Sequence, residues 1–300
     1  MTSNIISVGH AAWDRVYRIE NFPIKPTKLR ALEYVESGGG MAANAASTIA
    51  RLGGKVELWS RVGNDLTGHK IRNALKQADV DIRYVEIFDE GRSSSAAVIV
   101  DREGERIVIG IKDSAMPTGT SWLPVERINS ARLVLADLKW MEAVRIVFAR
   151  ARQVNVPTVL DVDVGNRKAL PEILSLTDFA IFSEEALANY LPEFELQARL
   201  DRIMLLGPRH AGVTLGKRGY VWRDKFGGGQ CPAFEVDVVD TTGAGDAFHG
   251  AFALALTEQR PISECARFAA AVAALKCMSL GSRTGLPSRV EVNAFLEQPT

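Results

Sequence analysis

The tightest constraint on this chain is a glycine-rich turn that runs straight into an apolar stretch: Asp240-Thr-Thr-Gly-Ala-Gly-Asp246, then Ala247-Phe-His-Gly-Ala-Phe-Ala-Leu-Ala-Leu256. This reads as a turn opening into a helix, with a carboxylate at the helix mouth. The first turn of a helix leaves N–H groups without intrahelical partners, and the macrodipole adds partial positive charge there. Such a mouth is an anion site suited to phosphate. Gly243 and Gly245 have no side chain to hold an anion off the backbone, and they accept positive φ. Asp246 then puts negative charge where phosphate belongs. Two readings fit. It is a helix cap, a role Asp favours, or it is a base that takes the proton of a hydroxyl attacking the phosphate.

Composition bounds the function classes. A chain of 300 residues, 47% hydrophobic and 24% charged, has material for an ample core. Its 36 Lys and Arg balance 36 Asp and Glu, so there is no electrostatic case for nucleic acid or an anionic membrane. No apolar run is long enough to span a bilayer. The start, Met1-Thr-Ser-Asn-Ile-Ile-Ser-Val-Gly-His10, lacks a basic segment ahead of an apolar one. It reads as a first strand rather than a secretory leader. Cys231, Cys265 and Cys277 are odd in number and widely spaced, which predicts reduced thiols in a cytoplasmic protein. Cys265 and Cys277 fall in an Ala-rich helical stretch and read as core residues.

The hydrophobic pattern predicts strands at 5–8, 56–62, 133–136, 158–161, 179–182 and 212–216. It predicts helices at 42–52, 67–77, 142–153, 247–256 and 262–277, with a hairpin between Tyr220 and Phe234. Strands separated by helices imply βαβ units and a mostly parallel sheet covered on both faces. Segments 16–20 with 30–36, and the hairpin 95–111, lack intervening helices and suit a small separate sheet. No linker or repeat divides the chain, so a single domain over 1–300 is expected.

A second motif, Gly39-Gly-Met-Ala-Ala-Asn44-Ala-Ala46, followed by Gly53 and Gly63, lies far upstream of the first. Together the two motifs resemble both signatures of the ribokinase (PfkB) family of carbohydrate kinases, in order and separation, over nearly the whole chain. The resemblance implies a ribokinase-like α/β fold: a mostly parallel central sheet flanked by helices, with a small β-sheet lid from about 15–37 and 92–112. In many members that lid also makes a dimer contact, so a homodimer is expected. Asp246 matches the family's catalytic base, and Gly243, Ala244 and Gly245 match its anion hole. Asp240 and the loop Ser279-Leu-Gly-Ser-Arg-Thr-Gly285 resemble a monovalent-cation (K+) region, the alternative for the loop being a helix-terminating turn. Thr214-Leu-Gly216-Lys217-Arg-Gly219 resembles the loop placed along the nucleotide; for Lys217 alone a solvated lysine is the competing reading.

No Gly-x-x-x-x-Gly-Lys-Ser/Thr sequence is present, so this is not a P-loop kinase. Nor is there a Gly-x-Gly-x-x-Gly fingerprint of dinucleotide binding. Where many members carry Asn-x-x-Glu to organise Mg2+, this chain reads Ser183-Glu184-Glu185-Ala186. Glu184 or Glu185 acting through water is the substitute, with Mg2+ otherwise riding on ATP.

On the sugar side, the family's hydroxyl-binding carboxylate matches Asp14. Gly39 and Gly40 would admit the ring, and Asn44 offers both donor and acceptor. His10 and His249 read as structural. Within the family, Gly38-Gly-Gly40, Gly104-Glu-Arg-Ile107, Val134-Leu-Ala-Asp-Leu-Lys-Trp140, Ala233-Phe-Glu-Val-Asp-Val-Val-Asp240 and Ala274-Leu-Lys-Cys277 resemble the 6-deoxy-6-sulfofructose kinase and ketohexokinase-like branch. Lys28 matches a lysine of that branch, while Lys139 and Gly110 stand where an arginine and an asparagine are expected. Lys112 and Arg167 are surface charges or further anion contacts. The expectation is an ATP-dependent kinase for a primary hydroxyl of a ketohexose or sulfofructose-like ketose. A nucleoside kinase of the same fold and a non-catalytic sugar sensor are the alternatives. A nucleoside kinase wants aromatic rings in the lid, and only Tyr17 and Tyr34 offer them.

Overall fold

Runs such as Ile5-Ile6, Leu133-Val-Leu-Ala136 and Phe179-Ala-Ile-Phe182 are apolar at every position, which a strand tolerates only when both its faces are covered. The computed structural model describes residues 4–111, 115–164 and 168–298; Lys112 and Arg167 lie outside the described residues. The strands are β1 (Asn4–Val8), β2 (Ala12–Arg18), β3 (Glu33–Gly39), β4 (Lys55–Gly63), β5 (Asp81–Phe88), β6 (Ser94–Val100), β7 (Arg106–Ile111), β8 (Leu133–Asp137), β9 (Thr158–Val162), β10 (Phe179–Ser183), β11 (His210–Thr214), β12 (Tyr220–Asp224) and β13 (Gly229–Cys231). The helices are α1 (Met41–Arg51), α2 (Leu66–Gln77), α3 (Met141–Gln153), α4 (Leu170–Leu174), α5 (Glu184–Tyr190), α6 (Leu196–Met204), α7 (Ala244–Thr257), α8 (Ile262–Cys277) and α9 (Arg289–Leu296).

Among the described residues two sheets form. The larger is nine-stranded, in the order β13-β12-β11-β10-β9-β8-β1-β4-β5. It is parallel from β11 to β5, and β12 and β13 close one edge antiparallel. Strand alternation sends Ile5, Leu133, Leu135 and Ile181 to a core shared with α1, α2, α7 and α8. It sends Ile6, Val134, Ala136 and Phe182 to a core shared with α3, α4, α5 and α6. The chain leaves β1 toward β4 on one side and returns to β8 on the other, so the strand order reverses at β1. The carboxyl ends of strands at such a switch point open a crevice for ligands.

The smaller sheet has the order β3-β2-β6-β7, with β2 and β6 parallel and both outer pairs antiparallel. It is built from the segments that lacked intervening helices. Its inner face packs Val16, Val98 and Val100 on Leu280. The sequence pattern missed β5, at the sheet edge, and the helices α4, α5, α6 and α9. The cysteines, expected as reduced thiols with two in the core, are buried free thiols. No helix of the described residues is long and apolar enough to cross a membrane.

Helices α1 and α7 carry the two glycine-rich motifs, and they approach closely because Gly250 has no side chain. A Cβ there would sit 2.5 Å from the Ala45 carbonyl oxygen, which a helix backbone cannot clear. Gly250→Ala gains up to ~1 kcal/mol in helix propensity against about 1–3 kcal/mol of overpacking. Thermal denaturation of Gly250→Ala is expected to show a net loss, with the melting temperature down by several degrees.

Candidate active site

Helix α7 starts at Ala244, three residues before the apolar run. Its N-cap is Gly243, in the left-handed region at φ 77°. A Cβ on Gly243 would meet Ser282 Cβ at 2.8 Å, so both conformation and space require glycine. The first bond within the helix runs from the Ala247 N–H to the Gly243 carbonyl at 2.9 Å, and the Ala244 N–H donates to the Thr241 carbonyl at 3.2 Å. The hydrogen bonds of the described residues leave the Gly243 and Gly245 N–H groups unclaimed. Gly245 is exposed and faces open space where a side chain would be. Of the three amides expected to form the anion hole, two are thus open and Ala244's is engaged.

Asp246 is not the cap. It stands in the first turn, and Asn44 Nδ2 donates to its Oδ2 at 2.7 Å. Those residues are 202 positions apart, and this bond joins the two sequence motifs at the crevice. Burial raises the Asp246 carboxyl above the usual carboxylate range; the Asn44 bond opposes this, Asp137 and Asp163 add to it, and Arg106 opposes it.

Asn44 is held from its other side. Arg283 Nε donates to Asn44 Oδ1 at 2.7 Å, and Arg283 Nη2 donates to the Gly39 carbonyl at 2.7 Å. Its Nη1 is buried without a hydrogen-bond partner. Burial lowers the guanidinium to about 10, with Asp14 and Asp246 opposing. Sequence reasoning missed Arg283; the only signal was an arginine inside the Ser279–Gly285 motif, which had been read for its carbonyls.

Asp14, on β2, is 7% exposed. Its Oδ2 accepts from Ser282 Oγ at 3.3 Å. Its carboxyl is pushed up to about 6, by burial first, against the Ser282 bond and Arg283, with Asp246 and Asp240 adding to the rise. The glycines of β3 make room for protein groups. A Cβ on Gly38 would overlap the Arg283 guanidinium, and one on Gly39 would overlap the Asp14 carboxylate. Gly40, at φ 90°, lies against the main chain of residues 10–12. The expected role of Gly39 and Gly40, admitting the ring, is replaced by placing Asp14 and α1.

Two further acids stand at strand ends beside Asp246, on β8 and β9. Asp137 is an anchor: its carboxylate accepts from the His10, Ala42 and Lys139 N–H groups at 2.8, 3.0 and 2.8 Å. Asp161 is raised well above the usual range by burial, with Asp246, Asp137 and Asp163 adding to it and Lys139 opposing. Its Oδ1 lies 3.4 Å from His249 Nε2. His249 Nδ1 is 2.7 Å from the Gly245 carbonyl and Nε2 is 3.3 Å from the Ile181 carbonyl. Burial lowers His249, with the bonds to those two carbonyls opposing. As expected, the histidine is a brace for the turn.

Asp240 is fully buried. Its Oδ1 accepts from the Thr242 N–H and its Oδ2 from the Gly281 N–H, each at 2.8 Å. Lys276 Nζ donates to its main-chain carbonyl at 2.7 Å. The residue expected to ligate K+ therefore already has its carboxylate on two amides and its carbonyl on an ammonium. Arg106, on β7, was also missed: its Nη1 donates to Thr241 Oγ1, which in turn donates to the Gly104 carbonyl at 3.3 Å.

The loop after β11 is a 3-10 turn, Gly216–Arg218. Thr214 pairs beside Ser183 in the sheet. Gly216 has φ 56° and open space around it, while Gly219 at φ 89° touches the Cys231 carbonyl. Lys217 is exposed. Glu184, expected to reach Mg2+ through water, instead pairs with Arg218 of this loop. Among the described residues no group of three or more His, Cys, Asp or Glu is gathered to hold a metal. Lys28 is exposed on the segment between β2 and β3. The Lys139 ammonium lies 3.5 Å from the Val164 carbonyl.

A family model described as pfkB family carbohydrate kinase matches residues 2–289. Ribokinase of Bacillus subtilis is 29% identical over 296 residues, covering 98% of this chain and 99% of its own. ATP-dependent ribose-1-phosphate kinase of Halopiger xanaduensis is 28% identical over 297 residues, covering 98% of each chain. The solved structure of Arabidopsis thaliana ribokinase complexed with ribose and ATP superposes with a TM-score of 0.87 at 27% identity, covering 100% of both chains. The relatives just named are ribose-type kinases, and the ketose branch of the sequence reading has no counterpart in them.

The raised Asp14 carboxyl has a stability consequence. An unfolded Asp ionises near 3.8, whereas the folded one ionises at about 6. Between these the folded state holds more protons, so its stability falls as pH rises toward 6 and stays lower above it. At neutral pH the penalty is at most roughly 3 kcal/mol, from about two units at about 1.4 kcal/mol each. Melting curves of Asp14→Asn and the parent protein are expected to separate as pH rises from the acid side to neutrality, with the variant the more stable. Equal differences at both pH values would contradict the assignment.

Proposed function

This chain belongs to the pfkB family of carbohydrate kinases, and we propose that it transfers the γ-phosphoryl group of ATP to the primary hydroxyl of a ribose-type sugar, with Asp246 as the base. The observation that carries this reading is the 2.7 Å bond from Asn44 to Asp246. It fixes one carboxylate oxygen and leaves the other to accept the hydroxyl proton. A carboxyl raised by burial is a better base near neutrality than a solvated one. The Gly243 and Gly245 amides face the charge that builds on the migrating phosphoryl group, which is where fixed donors lower a barrier most. Arg106 stands across the turn as a further positive charge. Asp14 and Asn44 orient the acceptor, with the Arg283 Nη1 donor beside them. ATP would lie along residues 214–219 with Mg2+ on its phosphates, where the metal spreads their charge; no residue here forms a cage for it. The place expected for K+ is filled from inside by Lys276.

Ribose-type substrates are supported by the named relatives, aldopentose kinases from a bacterium and a plant. On the face of β7 shared with Asp14, Gly110 stands opposite Ala96 and offers no donor to a sulfonate. Lys139 keeps a ketose or sulfosugar in the test. The nucleoside reading loses support from strand alternation. Tyr17 and Tyr34 pair across β2 and β3, on the face opposite to Asp14.

The smaller sheet would act as the lid, closing over the sugar and excluding water. Its exposed outer strand presents Ile107, Ile109 and Ile111, which supports a homodimer through that face. The buried free thiols suit a cytoplasmic setting.

Asp246→Asn is expected to lower kcat by ~10²–10⁴, with the fold and ATP-analogue binding retained. ADP release over ribose, ribose 1-phosphate, fructose, 6-deoxy-6-sulfofructose and nucleosides checks the substrate class. Turnover with nucleosides alone would end the sugar reading, and binding without turnover would favour a sensor. Light scattering is expected to find Ile109→Glu monomeric and the parent dimeric.

A further inference from the structure

Lysine is an unusual residue to lose from water. An ammonium with no solvent contact is costly to bury unless it meets an anion or strong acceptors. Lys276, in the last turn of α8, is 0% exposed. Its neighbours in sequence, Leu275 and Cys277, are apolar, and nothing in the helical pattern of 262–277 asks for a charge there. Its Nζ sits 2.7 Å from the Asp240 carbonyl oxygen. The main chain on either side is clamped to the same helix end: the N–H groups of Val239 and Asp240 both donate to the Cys277 carbonyl, at 2.8 and 3.1 Å. The Asp240 carboxylate, also 0% exposed, spans from Thr242 to Gly281. A buried positive charge and a buried negative charge thus hold the start of the phosphate turn between α8 and loop 279–285. Burial lowers the Lys276 ammonium from its ordinary value and Arg106 adds to the fall, while Asp240, Cys277 and Asp246 oppose it.

We infer that Lys276 is a built-in monovalent cation behind the phosphate turn, holding the Asp240 carbonyl as a bound potassium or ammonium ion would and making turnover independent of added monovalent cations. An inorganic cation at Asp240 would need the lone pairs of that carbonyl and of the carboxylate. The carbonyl already accepts from an ammonium, and a second monocation in contact with the same oxygen would be repelled by it at short range. A tethered ammonium also costs no translational entropy to bind and does not leave as salt falls. Lys276 meets the protein's own Asp240 carbonyl, not the open amides of Gly243 and Gly245. It is a positioning residue, acting through the 240–246 turn. This inference rests on the kinase reading above.

Two measurements test it. Turnover of the parent protein, with ionic strength held by tetramethylammonium chloride, is expected to be flat as potassium chloride replaces it. A Lys276→Met variant loses the charge and is expected to fall by about a hundredfold, the scale of removing one fixed electrostatic contributor. Potassium or ammonium, but not tetramethylammonium, is then expected to restore a large part of that loss. A parent rate that climbs severalfold with potassium would overturn the inference. So would a folded Lys276→Met protein whose rate no cation restores, because a merely structural lysine predicts that result. Melting decides independently of activity. The parent is expected to melt alike in potassium and tetramethylammonium, while Lys276→Met melts higher in potassium. A parent stabilised specifically by potassium would sink the proposal even if the variant failed to fold. If the parent turned over no substrate, the kinase reading would fall while the melting comparison still judged Lys276.

Discussion

Everything at the crevice follows from one electrostatic problem: several carboxylates converge where the strand ends meet α7, and water cannot screen them all. The structure meets the problem in different ways at different acids. Asp137 receives three main-chain N–H groups and becomes the knot that ties β1, α1 and β8 together. Asp240 receives two and shares its main chain with Lys276. Asp161 faces His249, and burial favours the neutral form of each. Asp14 and Asp246 are left least compensated. Each has one side-chain donor, at 3.3 and 2.7 Å, and a share of Arg283's field. An acid whose lone pairs are filled by amides is fixed in place. An acid with an unused oxygen and a raised affinity for protons is equipped to take one from a ligand. Degree of satisfaction thus separates the braces from the groups available for chemistry, without appeal to their positions in sequence.

Much of this was legible in the chain because it is locally encoded. The all-apolar strands could only be covered on both faces, and the two helix-free segments could only form a separate sheet. The Gly-Ala-Gly turn had to open a helix, and Asp246 with Asn44 stood out as the polar groups of two glycine-rich motifs. Their direct contact needed the fold. Arg283 was invisible for the same reason. Its partners Asn44 and Gly39 lie more than two hundred residues away, and locally it looks like any polar turn residue. Gly39 and Gly40 were read as space for the sugar ring, but sequence does not say what fills a missing Cβ. At Gly39 the filler is the Asp14 carboxylate, and at Gly40 the main chain of residues 10–12. Glu184 failed differently: a carboxylate near a phosphate loop suits a metal, but an arginine two positions past Gly216 suits it as well, and the pair formed. The edge strand β5 escaped because Asp81, Arg83 and Glu86 interrupt its apolar residues, and its exposed positions do not alternate strictly with buried ones.

Strand alternation also decides what the smaller sheet can recognise. On β2, Asp14 and Val16 point toward the crevice side, while Trp13, Arg15 and Tyr17 point away. The pairing of Tyr17 with Tyr34, Arg15 with Glu36 and Asp14 with Ser37 carries the same division onto β3. A one-residue slip would invert both faces. In the proposed reaction the acceptor would meet a carboxylate and small residues instead of stacked rings, a surface suited to hydroxyl groups more than to a base.

The same sheet reaches the phosphate turn directly. The hairpin between β6 and β7 turns at Gly104, φ 81°, where a Cβ would come within 2.9 Å of Val238. From there Gly104's carbonyl accepts from Thr241, and Arg106 donates to the same hydroxyl. Thr241 lies between Asp240, fixed by Lys276, and the open amides of Gly243 and Gly245. In the proposed reaction a sheet that carries Asp14 at one end and bonds Thr241 at the other would couple the seat of the acceptor to the seat of the phosphate, and any movement of β6 and β7 would reach a turn that Lys276 and Asp240 brace from below.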